Sequence, residues 1–383
     1  MTGQPLRILQ VLRAPVGGLF RHVNDLTREL AARGHQIGIV ADSLTSDALT
    51  AERLGALAPL CTLGIHNFPM PRTIGAGDLT TPIKVRRLAI ALDVDVLHGH
   101  GAKGGVNARF ARAGRNGRVA LNTPHGGVLN YKPGSPEGNF FRSIERMLMG
   151  WTDAYIFESA FAQRSFTAQI GLPPCPGPVI HNGLTPAEFD PLTPDPDARD
   201  FIFIGELRAA KGVGYLLDAL AGVKAPDGRP ATLAMAGGGP DLDVVKAQIE
   251  RLGLADRVDL LGVTPARKAL RRGRCEVVPS LAESLPYVIL EAAAAGRPVI
   301  STNVGGIHEI FGPTASSLIP AADTGALQAA MQGFLDHPAV AAKEAETRLA
   351  YVRQGFSVTH MTDQIEALYR DLLVARRKAI APA

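Results

Sequence analysis

The sequence is poor in most of the features that would name a compartment or a partner outright. Of its 383 residues only three are cysteine (Cys61, Cys175 and Cys275), an odd and widely spaced set with no C-x-x-C pair. That excludes a disulfide framework and a cysteine zinc site, and the thiols read as buried side chains of a reducing compartment. No stretch approaches the ~20 uninterrupted apolar residues of a membrane span. The opening MTGQPLRILQVL lacks the charged-then-apolar pattern of a signal peptide. No G-x-G-x-x-G follows the first apolar run, which speaks against an NAD(P) oxidoreductase. The formal charge is +4, from 40 basic and 36 acidic residues, too small by itself to argue for nucleic acid. No repeat of 20–50 residues recurs.

What is present is a globular composition: 46% hydrophobic, with 41 glycines and 28 prolines scattered without period. Disordered and collagen-like chains are thereby excluded. At roughly 100–200 residues per domain, the length suits two or three domains. Short β-branched runs alternate with helical patterns. Leu6–Leu12 reads as a strand, and Val23, Leu26, Leu30 and Ala31 mark a helix over His22–Arg33 that Gly34 stops. Strand Gln36–Ala41, helix Ile83–Leu92, strand Val94–His98, helix Gly105–Ala113 and strand Val119–Thr123 follow. Then come helix Asn139–Met149, strand Ala154–Glu158 and helix Phe161–Ile170. At Leu184–Asp200, Pro186, Pro191, Pro194 and Pro196 crowd together with acids in a linker signature.

Beyond the linker the alternation restarts, with strands at Phe201–Gly205, Thr232–Ala236, Val258–Leu261, Cys275–Pro279 and Pro298–Thr302. From Gly325 the pattern is helical to the end. The pattern predicts an α/β chain of two Rossmann-like domains facing a cleft, with ligands beyond the carboxyl ends of parallel strands.

The residues after each strand therefore matter most. Gly17-Gly18 opens the first helix, where a backbone can approach an anion closely. His98 and His100 alternate along a strand and could share a metal, but no third ligand of suitable spacing accompanies them. Asn122-Thr123-Pro124-His125-Gly126-Gly127 ends the next strand, and His125 is the better candidate for polar or catalytic work. In the second half, Arg208 and Lys211 stand three residues apart before a helix, where a guanidinium fork and an ammonium can hold a diphosphate. Gly237-Gly238-Gly239-Pro240 is a close-approach loop. The sharpest constellation is Glu283 in a loop and Glu291 inside the helix beginning at Tyr287. Carboxylates so placed accept hydrogen bonds from sugar or ribose hydroxyls, beside a helix start that favours anions. The D-x-D triplets Asp93–Asp95, Asp195–Asp197 and Asp241–Asp243 fall at a strand entry, in the linker and at a helix start and carry no metal–nucleotide reading.

Gly17-Gly18 before Arg21-His22, Thr123-Pro124-His125-Gly126, Gly205 through Lys211-Gly212, Gly237–Pro240, Glu283 with Glu291, and Val304-Gly305-Gly306 before Glu309 occur in this order. In that combination the sequence resembles the family 4 glycosyltransferases of GT-B fold, over about residues 8–310. The resemblance implies transfer of a sugar from a nucleotide donor with retention of anomeric configuration, without a metal or other cofactor. It implies that Glu291 holds the ribose hydroxyls, Glu283 the donor sugar side, and Lys211 the diphosphate. It further places His125 near donor sugar and acceptor, and Gly17 and Gly18 near the diphosphate and acceptor. Two positions depart from the pattern. Glu206 stands where the family often has arginine, leaving Arg208 to supply the guanidinium. Pro286 stands where glycine is common, so backbone contacts fall to Leu285, Tyr287 and Val288. The segment Thr123–Ser159 is similar to bacterial enzymes that build envelope or exopolysaccharide glycans on acceptors often linked to lipid.

The resemblance implies an acceptor-binding domain over 1–185, a nucleotide-sugar domain over 200–355, and a C-terminal helix over 356–383 crossing back to the first domain. A nucleotide-sugar binding or epimerising protein on the same plan is the competing reading. Residues 1–185 carry 19 Lys/Arg and 12 Asp/Glu (net +7), whereas 186–383 carry 21 and 24 (net −3). Arg109, Arg112, Arg115 and Arg118 cluster on one helix and its exit, and Arg142 and Arg146 lie near Phe140, Phe141, Met147, Met149 and Trp151. That pattern suggests a cytoplasmic protein docking on an anionic membrane surface through its first domain.

Overall fold

The computed structural model describes every residue except 1–3, 45–47, 73–74, 113–116, 132–133 and 381–383. The chain divides into two compact units, residues 1–183 with 358–383 and residues 184–357.

The first unit holds β1 (Arg7–Leu12), β2 (Gln36–Asp42), β3 (Ile65–Phe68), β4 (Val96–His100), β5 (Val119–Thr123) and β6 (Ala154–Tyr155) in the order β3-β2-β1-β4-β5-β6. Every pairing is parallel. The central strands are buried on both faces because helices cover both, so they read as continuous apolar runs instead of alternating ones. The chain order reverses at β1, which pairs β2 on one side and β4 on the other; ligands of such sheets bind at that switch point. Helix Gly17–Ala32 packs Val23, Leu26 and Leu30 inward. The last helix, Val358–Ile380, sends Met361, Ile365, Tyr369 and Leu373, four residues apart, into one core with Ile8, Leu26, Val96 and Leu121. The helical tail predicted from Gly325 is three helices (Thr324–Asp336, Pro338–Gly355 and Val358–Ile380), and the third joins the first unit.

The second unit holds β7 (Arg199–Ile204), β8 (Leu233–Ala236), β9 (Val258–Gly262), β10 (Gly273–Val278) and β11 (Val299–Ser301), ordered β11-β10-β7-β8-β9 and again parallel. Alternate residues of β7 feed opposite faces. Phe201 and Phe203 pack with Leu217 and Met235, while Ile202 and Ile204 pack with Ile289 and Phe311.

Two expectations are corrected. The strand predicted at Val94–His98 lies two residues later, because Asp93 turns at φ +46° and the Asp95 carboxylate accepts the Arg7 N–H at 2.9 Å. The arginines expected on a basic docking face are largely structural. Arg109 is fully buried and bidentate to Glu145, at 2.6 and 2.9 Å. Arg118, also buried, donates to the carbonyls of Val94, Ala111 and Ala89. Arg142 is buried and caps Tyr131, and Arg146 donates to Ile170 and Gln169. Arg115 lies outside the described residues. Each cation here satisfies backbone or carboxylate oxygens that would otherwise be unpaired inside the fold. Of the cysteines, Cys61 and Cys275 are buried and Cys175 half-buried, and all three are free thiols.

Candidate active site

Each unit gathers its polar residues at the carboxyl ends of its strands. In the first unit β5 ends at Thr123 and the chain turns through His125, Gly126 and Gly127, three successive residues at positive φ (+47°, +77° and +45°). For histidine that conformation costs on the order of 1 kcal/mol or more and marks a position held by its surroundings. The surroundings are other histidines. His100 Nδ1 stands 3.2 Å from His125 Nε2, and His100 Nε2 2.6 Å from the side-chain oxygen of Gln10. His22, from the first helix, directs Nδ1 to Asn182 Oδ1 at 3.1 Å. His98 sits 4.1 Å from His100, ring to ring, with its nitrogens on the Tyr369 and Thr123 hydroxyls.

Burial holds all four imidazoles neutral. His22 is lowered to about 3 by burial and then by the neighbouring His125, and His125 to about 3 by burial alone. His98 and His100 lie well below the ordinary histidine value for the same first cause. The strand pair His98/His100 thus belongs to a larger cluster, completed by His22 from the first helix and His125 from the turn after β5. No spacing along the chain could show it. Gly17, at φ +61°, opens the first helix; nothing lies within 4 Å of where its Cβ would be, so glycine serves the backbone angle there and not a tight fit. Gly17 and Gly18 are both exposed.

In the second unit β7 runs into Gly205, Glu206, Leu207 and Arg208. Arg208 is exposed and pairs with Glu206 at 3.0 Å, so the carboxylate that departs from the family pattern faces the guanidinium expected to replace it. A short turn, Ala209–Lys211, leads to Gly212 at φ +68°. Lys211 Nζ lies 2.6 Å from Glu283 Oε1, and the Ser280 hydroxyl donates to the same oxygen at 2.7 Å. The Ser280 carbonyl in turn accepts from the Thr302 hydroxyl at 2.6 Å. Ser280 and Thr302 were not picked out from the sequence, where single hydroxyls between strand and loop give no signal.

The Gly237–Gly239 loop packs against the backbone after β7. A Cβ on Gly237 would lie 1.8 Å from the Gly205 carbonyl, and one on Gly239 2.4 Å from that of Leu207. Gly238 meets only Val263, at 3.4 Å, and is the member of the loop with room beside it. Leu285 is buried, whereas Tyr287 and Val288 are half-buried at the head of helix Tyr287–Ala294. First-turn N–H groups point out of such an end. Glu291 is half-buried one turn further on, and its charge reaches Glu276 on β10. The structure therefore groups Arg208, Lys211, Glu283, Gly238, Leu285, Tyr287, Val288 and Glu291 in the second unit, and Gly17, Gly18 and His125 in the first.

Two doubly wound parallel sheets with polar strand ends are the plan of the GT-B fold, and comparison with known proteins supplies the class. The model for Glycosyltransferase Family 4 matches residues 16–188, and that for Glycosyl transferases group 1 matches 198–337. The chain belongs to the family 4 glycosyltransferases and is an enzyme of that class. It is 29% identical over 355 residues to a glycogen synthase of Mycobacterium tuberculosis, covering 86% of this chain and 85% of that one. It is 26% identical to the phosphatidylinositol N-acetylglucosaminyltransferase gpi3 subunit of Schizosaccharomyces pombe, over 92% and 77% of the two chains. Among solved structures, the sucrose-phosphate synthase of Thermosynechococcus elongatus superposes with TM-score 0.79 at 21% identity, covering 96% and 100%. A glycosyltransferase of Rickettsia africae does so at 0.80 and 19%, covering 97% and 99%. At those identities the structures speak for the fold alone. Among the described residues no helix is long and apolar enough to cross a membrane.

Proposed function

We propose that this enzyme moves a hexose from a UDP- or GDP-linked donor to a glycan or lipid-linked acceptor, with retention, in bacterial envelope or polysaccharide synthesis. The observation that carries the reading is the Lys211–Glu283–Ser280 contact at the carboxyl end of the second sheet. Departure of a nucleoside diphosphate from an oxocarbenium-like sugar demands cations aimed at the leaving phosphates. Lys211 and Arg208 supply that charge, and the step calls for no metal or other cofactor. Arrival of the diphosphate draws Lys211 from the carboxylate and leaves Glu283 to accept sugar hydroxyls. Glu291 takes the ribose, and the N–H groups of Leu285, Tyr287 and Val288, with Gly238, line the diphosphate. His125, neutral and therefore able to donate with one nitrogen and accept with the other, serves the transferred sugar and the acceptor, and Gly17-Gly18 leaves room for both. Retention follows if the acceptor attacks from the face the leaving group vacates, with the departing phosphate taking the proton.

Docking on an anionic inner membrane face rests on a narrower basis than the arginines. Phe140, Met147 and Trp151 are 50%, 62% and 42% exposed along and beyond helix Pro136–Leu148. Cosedimentation with anionic liposomes that survives F140S/M147S would overturn that part. For the reaction, nucleotide sugars are screened for thermal stabilisation, since a matched donor raises the melting temperature. The anomeric configuration of the product is then read by NMR. Inversion would refute retention, and donor conversion without any acceptor would favour the epimerising alternative.

A further inference from the structure

The histidine cluster of the first unit contains more convergent lone pairs than the reaction uses. One ring nitrogen each of His22, His100 and His125 lies within 4.8 Å of the other two. The opposite nitrogen of every ring faces an oxygen: Gln10 Oε1 at 2.6 Å from His100, Asn182 Oδ1 at 3.1 Å from His22, and Glu158 Oε2 at 3.8 Å from His125. Gln10 and Asn182 stand at hydrogen-bond distance and take the outer N–H of His100 and His22, so the inner nitrogens His100 Nδ1 and His22 Nε2 are lone pairs. Glu158 is too far from His125 to bond it, and His125 Nε2 is the third nitrogen turned inward. His22 Nε2 is buried without a hydrogen-bond partner. His100 Nδ1 and His125 Nε2 face each other at 3.2 Å. A proton on His125 Nε2 would serve His100 alone and leave the buried His22 Nε2 without a partner. A cation at the centre satisfies all three at once.

We propose that His22, His100 and His125 form a binding site for one divalent transition-metal ion of the zinc class. Neutral imidazoles are its preferred nitrogen ligands, and outer oxygens that fix each ring's tautomer are the usual second layer of such sites. Zinc–nitrogen bonds of about 2.0–2.1 Å set ligand nitrogens roughly 3.4 Å apart in a tetrahedron. The His100–His125 separation already meets that spacing, and the widest pair must close by little more than about 1 Å. His98 is not a ligand, because both its nitrogens engage hydroxyls. Three protein ligands leave a fourth position open. An all-imidazole set is unsuited to magnesium, which takes oxygen ligands, so the site is separate from any ion on a donor diphosphate. An ion on His125 Nε2 withdraws that nitrogen from the sugar role proposed above, so the filled site and that role are alternatives at this ring. The site itself stands whether or not the transfer reading is right.

The test is titration of the untagged full-length chain with Co²⁺ and Zn²⁺ after chelator treatment, in the absence of nucleotide. One Co²⁺ per chain with visible absorption of four- or five-coordinate cobalt, displaced by Zn²⁺, is expected. His22→Ala should weaken binding at least about 100-fold, and Asn182→Leu, which keeps every ligand, about 10–100-fold; His66→Ala should leave it unchanged. Absence of stoichiometric uptake by the parent chain would refute the site. So would equal affinity in folded His22→Ala, or, should that variant not fold, in Asn182→Leu.

Discussion

Lys211 Nζ and Glu283 Oε1 stand 2.6 Å apart although 72 residues separate them in sequence. The pair brings the loop after β7 to the loop after β10. Removing the ammonium takes away one charge at the leaving phosphates and frees the carboxylate to repel them. Lys211→Ala should lower kcat roughly 10²–10³-fold, the loss typical of one transition-state donor, with less than about tenfold weakening of nucleoside diphosphate binding. Steady-state kinetics beside calorimetric binding of the diphosphate checks this. Small and equal effects on both would remove Lys211 from the chemistry.

Gly212 holds those two loops together sterically. At φ +68°, its Cβ would stand 1.9 Å from the Pro279 carbonyl oxygen, which is backbone and cannot swing aside. Gly212→Ala should cost at least about 1–3 kcal/mol in denaturant unfolding and shift the Lys211–Glu283 contact. Gly17→Ala meets no atom within 4 Å and should cost only the backbone angle, about 1 kcal/mol.

Glu276, on β10, is fully buried with both carboxylate oxygens unpartnered. Its pKa is raised well above the ordinary value by burial first and the Glu291 charge second, with Arg297 opposing. An acid whose folded pKa is raised keeps its proton in the native state while the unfolded chain loses it. Its stabilising share is therefore complete below about pH 4.3 and lost as pH climbs toward the folded value. Glu276→Gln carries no such proton, so its stability relative to the parent should rise by up to about 1.4 kcal/mol per pH unit above that point. Urea unfolding from pH 4 to 8 reads the divergence. Parallel curves would show Glu276 to titrate normally.

In the first unit, Arg109→Ala should destabilise by about 3–5 kcal/mol, because it strands the buried Glu145 carboxylate. Tyr155, whose hydroxyl donates to the same Glu145 oxygen at 2.7 Å, is a weaker support: Tyr155→Phe should cost about 1–2 kcal/mol. Chemical denaturation of the two variants checks the order.

Much of the fold was legible because buried parallel strands and amphipathic helices have distinct periods. β7 and helix Ala160–Gln169 fall within two residues of their predicted spans. The short edge strand β3, only half-buried, and helix Ala48–Gly55 escaped, having neither a long apolar run nor a full stripe. The second unit's site was legible where chemistry and strand-end position coincide, as at Lys211 and Glu283. Their pairing through Ser280 was not. The histidine cluster was invisible for a stronger reason: His22, His100 and His125 meet only when two strand ends and the first helix are laid side by side. Arg109 and Arg118 misled because a charged side chain in sequence reads as surface, and nothing local announces a Glu145 36 residues away or a ring of carbonyls.

The helix that closes the first unit is made after the whole of the second. Ile365 and Tyr369 fill the core beside Ile8 and Val96, and the Tyr369 hydroxyl meets His98 at 2.6 Å. A ribosome must therefore finish the entire second unit before the first can seal, and a chain stopped short of residue 358 would expose that seam. The core of the first unit stays open on one side until residues 358–380, made after the whole of the second unit, have emerged.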